Sequence, residues 1–156
     1  MYLSSLLIGI QDFVKIREYN IKSDYNEVTP VTKSIHSFCL EEKIKTTDCN
    51  EIEICLIEAL NNVIKHAYKG DSTKSINIDV KINGKELQIK ITDTGLPHKN
   101  FSKPKLEFDP NDIENLPEGG MGLYIIDQLM DEIFYESQNG VNFFYMKKIV
   151  AKPASV

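Results

Sequence analysis

Apolar and polar residues follow two different periods along this chain, and each period predicts a type of element. They alternate loosely from Phe13 to Ile21, which predicts a first strand. The stretch from Ser23 to Asn26 is turn-like, and Pro30 suits the first turn of a helix because its missing N–H needs no partner there. Helical spacing then continues to about Lys43, on an apolar face made of Val31, Ile35, Phe38 and Cys39.

A longer amphipathic helix is predicted from Asp48 to about Tyr68. Asp48 and Glu51 have the spacing of a capping box at its start, and Gly70 is a typical signal for its end. On an ideal helix, with about 3.6 residues per turn, the buried face is centred on Ile52, Leu56, Ala59, Val63 and Ala67.

Two hairpins and a short helix complete the pattern. Residues 74–82 and 87–91 alternate on either side of Asn83-Gly84, which is the strongest short hairpin signal, and residues 133–150 repeat that pattern around Asn139-Gly140. A helix from about Gly122 to Met130 lies between the hairpins. The order β-α-α-β-β-loop-α-β-β predicts an α+β two-layer sandwich, with a mixed, mainly antiparallel sheet and helices on one face.

Composition narrows the class of protein. The chain has 156 residues, 42% of them hydrophobic and 26% charged, which predicts one globular domain over residues 1–156. A net charge of −5 disfavours direct binding to nucleic acid. Residues 1–12 form an apolar N-terminal extension that is too short to span a bilayer, so we expect no membrane insertion. The cysteines and histidines lack metal-binding spacing, and a reducing cytoplasm is the expected setting.

One segment, residues 96–119, departs from both periods. It contains four of the six prolines of the chain and little regular pattern. A loop of this length inside a small domain is typical of a functional element. Because it joins two segments that carry candidate binding residues, we interpret it as a lid over a ligand, with a variable surface loop as the alternative.

Polar residues of the long helix predict part of a nucleotide site. Glu58, Asn62 and His66 fall along one edge of its buried face. An asparagine carbonyl can ligate Mg²⁺, and a carboxylate one turn away can accept a proton from a nucleophile. The alternative is a solvated glutamate beside a surface asparagine. His66 is either a histidine at the edge of the core or a group near the nucleotide.

Two further segments supply the remaining parts of such a site. Asp93 ends a strand and is followed by Gly95, so its carboxylate can accept a hydrogen bond from an exocyclic amine such as that of adenine; the alternative is a plain Asp-Thr-Gly turn. A glycine-rich turn precedes the last helix, where backbone N–H groups can face phosphate, unless it is only a hinge. This turn comprises Gly119, Gly120, Met121, Gly122 and Leu123.

These segments together resemble the N, G1 and G2 boxes of the GHKL ATPase superfamily. The three boxes read Glu58-Ala-x-x-Asn62-x-x-x-His66-Ala-Tyr68, Asp93-x-Gly95-x-Pro97 and Gly119-Gly-Met-Gly-Leu-Tyr-Ile-Ile126. Their order and spacing, over about residues 13–150, are most similar to those of the bacterial anti-sigma factor serine/threonine kinases.

The resemblance implies a Bergerat-type ATP-binding fold with a role for each box. It implies Asn62 on Mg²⁺, Asp93 on adenine, and the region of Gly120 and Gly122 on the phosphates. It also implies that Glu58 is the general base for a serine or threonine hydroxyl.

The same family implies partners as well as an activity. The implied partners are an anti-anti-sigma protein with a STAS domain, which is phosphorylated, and a sigma factor, which is bound; the family also allows a homodimer.

The family often has a threonine near adenine on the strand after Gly140, where this chain has Val141 and Asn142. Two alternatives to the kinase are a nucleotide-gated partner-binding module without phosphoryl transfer, and the catalytic domain of a histidine kinase. The second is disfavoured because no upstream helix pair carries a phosphoacceptor histidine.

Overall fold

The computed structural model describes residues 14–98 and 121–151, and it confirms the predicted order of elements. Residues 1–12 and most of the lid segment lie outside the described ranges. The elements are β1 (Val14–Lys22), α1 (Tyr25–Glu41), α2 (Thr46–Asn62), a five-residue π-helix (Val63–Ala67), β2 (Ser75–Asn83), β3 (Glu86–Asp93), α3 (Met121–Leu129), β4 (Glu132–Gln138) and β5 (Val141–Ile149).

The five strands form one open sheet in the order β1-β2-β3-β5-β4, and every neighbouring pair is antiparallel, so among the described strands the sheet is antiparallel throughout and not mixed. Both predicted hairpins are present. Asn139 and Gly140 form the second turn with φ of 55° and 79°, as a two-residue turn with two left-handed positions requires. In the first hairpin Asn83 pairs with Glu86, so the central residues are Gly84 and Lys85, one position later than predicted.

The helices cover one face of the sheet, which gives the predicted two-layer sandwich. Side chains on the covered face of β2 and β3 alternate with exposed or half-exposed ones. The buried apolar positions of these two strands are Ile76, Ile78, Val80, Ile82, Leu87, Ile89 and Ile91, and each is at most 1% exposed. Within the described residues, no helix combines the length and the apolar character needed to cross a membrane.

The first helix begins five residues earlier than predicted. Asp24 caps it by accepting a hydrogen bond from the N–H of Asn26 at 2.9 Å, so residues 23–26 are not a free turn. Pro30 therefore lies inside the helix rather than in its first turn. The helix loses one internal hydrogen bond at this position, and burial of its apolar face offsets the loss.

The capping box predicted for the second helix is also wrong. This helix starts at Thr46, and its N-cap residue Lys45 makes no side-chain capping bond. Asp48 instead accepts the N–H of Ala151 at 2.8 Å, and Glu51 pairs with Lys148 at 2.8 Å. Both carboxylates take partners from the C-terminal strand region, which a local sequence signal does not reveal.

The helix does not continue as a regular α-helix to Tyr68. Residues 63–67 form the five-residue π-helix, called the π-turn below, in which Tyr68 N–H donates to the carbonyl of Val63 at 3.0 Å. A π-turn contains more residues than a turn of an α-helix, so its side chains point in other directions than they would on a continued α-helix. Consequently Ile64 is 1% exposed, whereas Val63 and Ala67 are only half-buried.

Candidate functional site

An open cleft lies where the end of α2, the π-turn, the end of β3, the β4–β5 hairpin and α3 meet. Its empty volume, including space open to solvent, is about 820 Å³. The wall is mainly apolar, with a few polar groups, which is the usual character of a small-molecule site. The lining residues are Ala59, Asn62, Val63, His66, Ala67, Asp93, Leu96, Pro97, His98, Leu123, Tyr135 and Phe144.

Asp93 supplies a buried carboxylate at the wall of this cleft. The residue is 6% exposed, and its Oδ1 accepts hydrogen bonds from the N–H of Gly95 at 2.9 Å and from Nδ2 of Asn142 at 2.8 Å. Within the described residues, Oδ2 accepts no hydrogen bond. Burial raises the pKa of Asp93, while the bonds from Asn142 and Gly95 act in the opposite direction. One oxygen is thus held by the protein and the other can accept from a ligand.

Asn142 lies against Asp93 because the two residues are paired across β3 and β5. Its amide is 1% exposed and has donor and acceptor bonds within the protein: Nδ2 also donates to the carbonyl of Gly95 at 3.0 Å, and Oδ1 accepts from Oγ of Ser137 at 2.7 Å. Asn142 therefore holds the carboxylate of Asp93 in place.

The π-turn packs directly against the end of β3. Leu96 N–H donates to the carbonyl of Ala67 at 2.8 Å, and a Cβ on Gly95 would overlap that carbonyl. The hydroxyl of Tyr68 accepts the N–H of Thr94 at 2.9 Å and donates to the carbonyl of Ser75 at 2.6 Å. Gly95 is thus required for the close approach of these two backbone segments.

We expect Gly95→Ala to lower the free energy of unfolding by about 1–3 kcal/mol, the usual cost of forcing extra volume into a packed site. The clash is with backbone, so no side chain can move aside to relieve it. Urea unfolding measures the change. Thr94→Ala, at an exposed neighbouring position whose hydroxyl makes only a long contact of 3.4 Å to Tyr68 Oη, is the control and should change the value by less than about 0.5 kcal/mol. A Gly95→Ala protein as stable as wild type would contradict the packing described here.

Asn62 and His66 both line the cleft, as the helical spacing predicted. Asn62 is half-buried at the last residue of α2, and His66 lies exposed at the rim, within the π-turn. Partial burial lowers the pKa of His66, and the nearby cations of Lys65 and Lys69 act in the same direction. Of the two interpretations of His66, the structure favours the group beside the cleft.

Glu58 lies apart from the lining residues and contacts the start of α3. A Cβ on Gly122 would lie 2.5 Å from Glu58 Oε2, so the absence of a side chain at Gly122 leaves the space that the carboxylate occupies. Met121 and Gly122 form the first residues of α3, and Leu123 lines the cleft. Gly119 and Gly120 lie outside the described residues, as does the lid segment from residue 99 onwards.

Several cleft residues were not identified from the sequence. Tyr135 and Phe144 are paired across the β4–β5 hairpin, on the face that carries Asn142, and Tyr135 Oη accepts the N–H of His98 at 2.7 Å. The alternation of residues 133–137 and 142–146 indicates which of their side chains share a face of the hairpin. It does not indicate that the hairpin lies beside β3, so it could not assign these residues to the cleft.

A protein-family comparison places this fold and site in a known class. A family model described as a histidine kinase-like ATPase domain matches residues 21–148, and the chain belongs to this family. The membership confirms the resemblance drawn from the three boxes at the level of the ATPase domain.

Curated relatives and solved structures narrow the comparison. Proteins named serine-protein kinase RsbW, from Bacillus mycoides strain KBAB4 and Bacillus cereus strain ATCC 10987, are 37% and 35% identical over 106 residues. This region is 65% of the chain and 65% of each relative, just under two thirds of their length.

The solved structures share the fold. The RsbU and RsbW domains of a Mycobacterium tuberculosis protein match with a TM-score of 0.65 at 15% identity, over 90% of this chain and 34% of that one. A chain of the SiaB–SiaC complex from Pseudomonas aeruginosa matches with a TM-score of 0.59 at 14% identity, over 96% of this chain and 97% of that one.

Proposed function

We propose that this chain is a cytoplasmic, ATP-dependent serine/threonine protein kinase that acts as an anti-sigma factor. The observation that carries the proposal is the Asp93 carboxylate, which has one oxygen held by Gly95 and Asn142 and the other available at the wall of an apolar cleft. Membership of the histidine kinase-like ATPase domain family and the RsbW relatives support the same activity.

The cleft fits the base of ATP. A flat base matches a wall made by Ala59, Val63, Leu123 and Phe144. Asp93 is an acceptor without a proton to donate when ionised, so it suits the exocyclic amine of adenine and disfavours the carbonyl oxygen of guanine.

The other boxes suit the phosphates and the metal. The side-chain oxygen of Asn62 would hold Mg²⁺, and the backbone N–H groups at the start of α3, at Met121 and Gly122, would face the phosphates, with Gly119 and Gly120 as proposed further contacts. When bound, ATP supplies the phosphoryl group that is transferred. Glu58 would accept the proton of the incoming serine or threonine hydroxyl, as a general base.

The proposed partners follow from the family. A STAS-domain anti-anti-sigma protein would be the phosphorylated substrate, and a sigma factor would be the partner held in its place. The RsbW name of the relatives and the two-protein SiaB–SiaC complex support a protein partner rather than a small substrate.

A second candidate function is a nucleotide-gated binding module that transfers no phosphoryl group. The observation in its favour is that Glu58 does not line the cleft and instead lies against Gly122. The two functions differ in one measurable product, a phosphorylated partner.

We expect Mg-ATP to bind and stabilise the protein. At about 100 times its dissociation constant, a ligand raises the free energy of unfolding by roughly 2.7 kcal/mol. Thermal unfolding with Mg-ATP, Mg-GTP and Mg²⁺ alone measures the effect. An unchanged midpoint with millimolar Mg-ATP would contradict the nucleotide site.

Phosphoryl transfer is tested on a defined partner. The candidate STAS-domain protein from the same genome is incubated with the chain and Mg-ATP, and modified residues are identified by mass spectrometry. A phosphoserine or phosphothreonine supports the kinase. ATP-dependent complex formation without modification supports the binding module instead.

A further inference from the structure

Helix α3 is held against α2 at both of its ends. At its start, Gly122 packs on the carboxylate of Glu58, and at its last residue the carbonyl of Leu129 accepts a hydrogen bond from Nζ of Lys148 at 2.6 Å. The same ammonium group pairs with Glu51 of α2 at 2.8 Å. Lys148 thus connects the end of α3, the helix α2 and the strand β5.

Lys148 is buried to an extent that is unusual for a lysine, with a relative exposure of 8%. A buried ammonium group is retained only when it is paired and hydrogen-bonded. Here its two partners are a carboxylate and a carbonyl from the last turn of a helix. Such carbonyls have no partner within the helix and carry partial negative charge, so a cation at this end stabilises α3.

The two contacts also fix how α3 lies along α2. Glu51 and Glu58 are seven residues apart on α2, and so are Gly122 and Leu129 on α3. At 1.5 Å per residue, seven residues span about 10.5 Å on either helix. The two contact points are therefore equally spaced on the two helices, which run antiparallel, and sliding α3 along α2 would break both contacts.

We propose that Lys148 is a positioning residue for the phosphate end of the nucleotide site: by holding Leu129 against Glu51, it sets the position of the α3 N-terminus beside Glu58. The inference rests on the proposed function, because it assigns that N-terminus to the phosphates. Lys148 does not line the cleft and lies six residues along β5 from Asn142, about 20 Å away at 3.4 Å per residue. Its removal should therefore affect phosphate recognition and leave adenine recognition unchanged.

The test compares ATP with adenosine in the full chain. Lys148→Met keeps most of the length of the side chain and removes its ammonium group. We expect the dissociation constant for Mg-ATP to rise about tenfold, while that for adenosine changes less than about twofold. Lys147→Met is the matched control: Lys147 projects from the opposite face of β5 and pairs with Glu86 and Glu132, so both affinities should stay as in wild type.

Second variants keep the inference testable if Lys148→Met does not fold, which circular dichroism would show. Glu51→Gln removes the charge of one partner and should shift the ATP-to-adenosine preference in the same direction, and Lys148→Arg, which keeps a charged donor, should retain most of the wild-type preference. A preference equal to wild type in the folded variants would overturn the inference alone. A wild-type protein that binds adenosine and Mg-ATP equally would overturn both the phosphate role of α3 and the inference.

Discussion

Asp93→Asn should raise the dissociation constant for ATP by about 10- to 150-fold. A hydrogen bond to a charged group contributes about 1.5–3 kcal/mol, and each 1.4 kcal/mol is about tenfold in affinity. The side-chain atom next to Gly95 N–H and Asn142 Nδ2 must be a hydrogen-bond acceptor, because both groups donate to Oδ1 of Asp93. In the variant, the amide oxygen satisfies these donors and the amide nitrogen faces the ligand, where it repels the exocyclic amine of adenine.

Isothermal titration with ATP and GTP measures this effect. Wild type should prefer ATP, and Asp93→Asn should lose much of the preference because an amide nitrogen can donate to the carbonyl of guanine. Asp79→Asn is the control, since Asp79 pairs with Lys90 on the open face of the sheet. Equal affinity of the wild type for ATP and GTP would show that Asp93 does not recognise the base.

Glu58→Gln should lower the rate of phosphoryl transfer by about 10²- to 10⁴-fold, the usual contribution of a general base. The glutamine keeps the shape that packs against Gly122 but cannot accept the proton of the hydroxyl. ATP affinity should change little, because Glu58 does not line the cleft. Single-turnover phosphorylation of the STAS-domain partner and nucleotide titration separate the two quantities.

Two further variants define the role of Glu58. Glu53→Gln, on the same helix but paired with Lys33 of α1, should transfer at the wild-type rate. Asn62→Ala should lose Mg²⁺-dependent binding as well as turnover, since it removes the proposed metal ligand. If Glu58→Gln transfers phosphate as fast as wild type, Glu58 serves only to pack α3 against α2.

Most of the fold could be predicted because its signals are local. Alternation in residues 74–82 and 87–91 gave two strands whose apolar faces are both buried, and Asn139-Gly140 adopts the positive φ values that its turn requires. Two of the errors lie at helix starts. Asp24, with Glu27 three residues later, lies in a segment expected to be a turn and instead caps the first helix, and the apparent box at Asp48 and Glu51 has its partners about a hundred residues away in the chain. A local signal cannot distinguish a cap from a tertiary contact.

The candidate site was predicted in its parts but not in its geometry. Asn62, His66 and Asp93 line one cleft, as their patterns suggested, and Glu58 lies beside α3 instead. Because of the π-turn at residues 63–67, Ile64 is buried, whereas Val63 and Ala67, which were predicted to be buried, are only half-buried. No propensity indicates a π-turn here, because it is stabilised by packing against Gly95 and the end of β3.

The sequence by itself determined the order of elements, the hairpins and the identity of the groups available for binding, since period and turn chemistry act over a few residues. The tertiary structure alone decided which of those groups meet. The pairing of β3 with β5 brings Asn142 to Asp93 over 49 residues, and the packing of α3 on α2 brings Gly122 to Glu58. Contacts of this kind depend on how burial of the whole apolar core aligns separate elements, and no short segment contains that information.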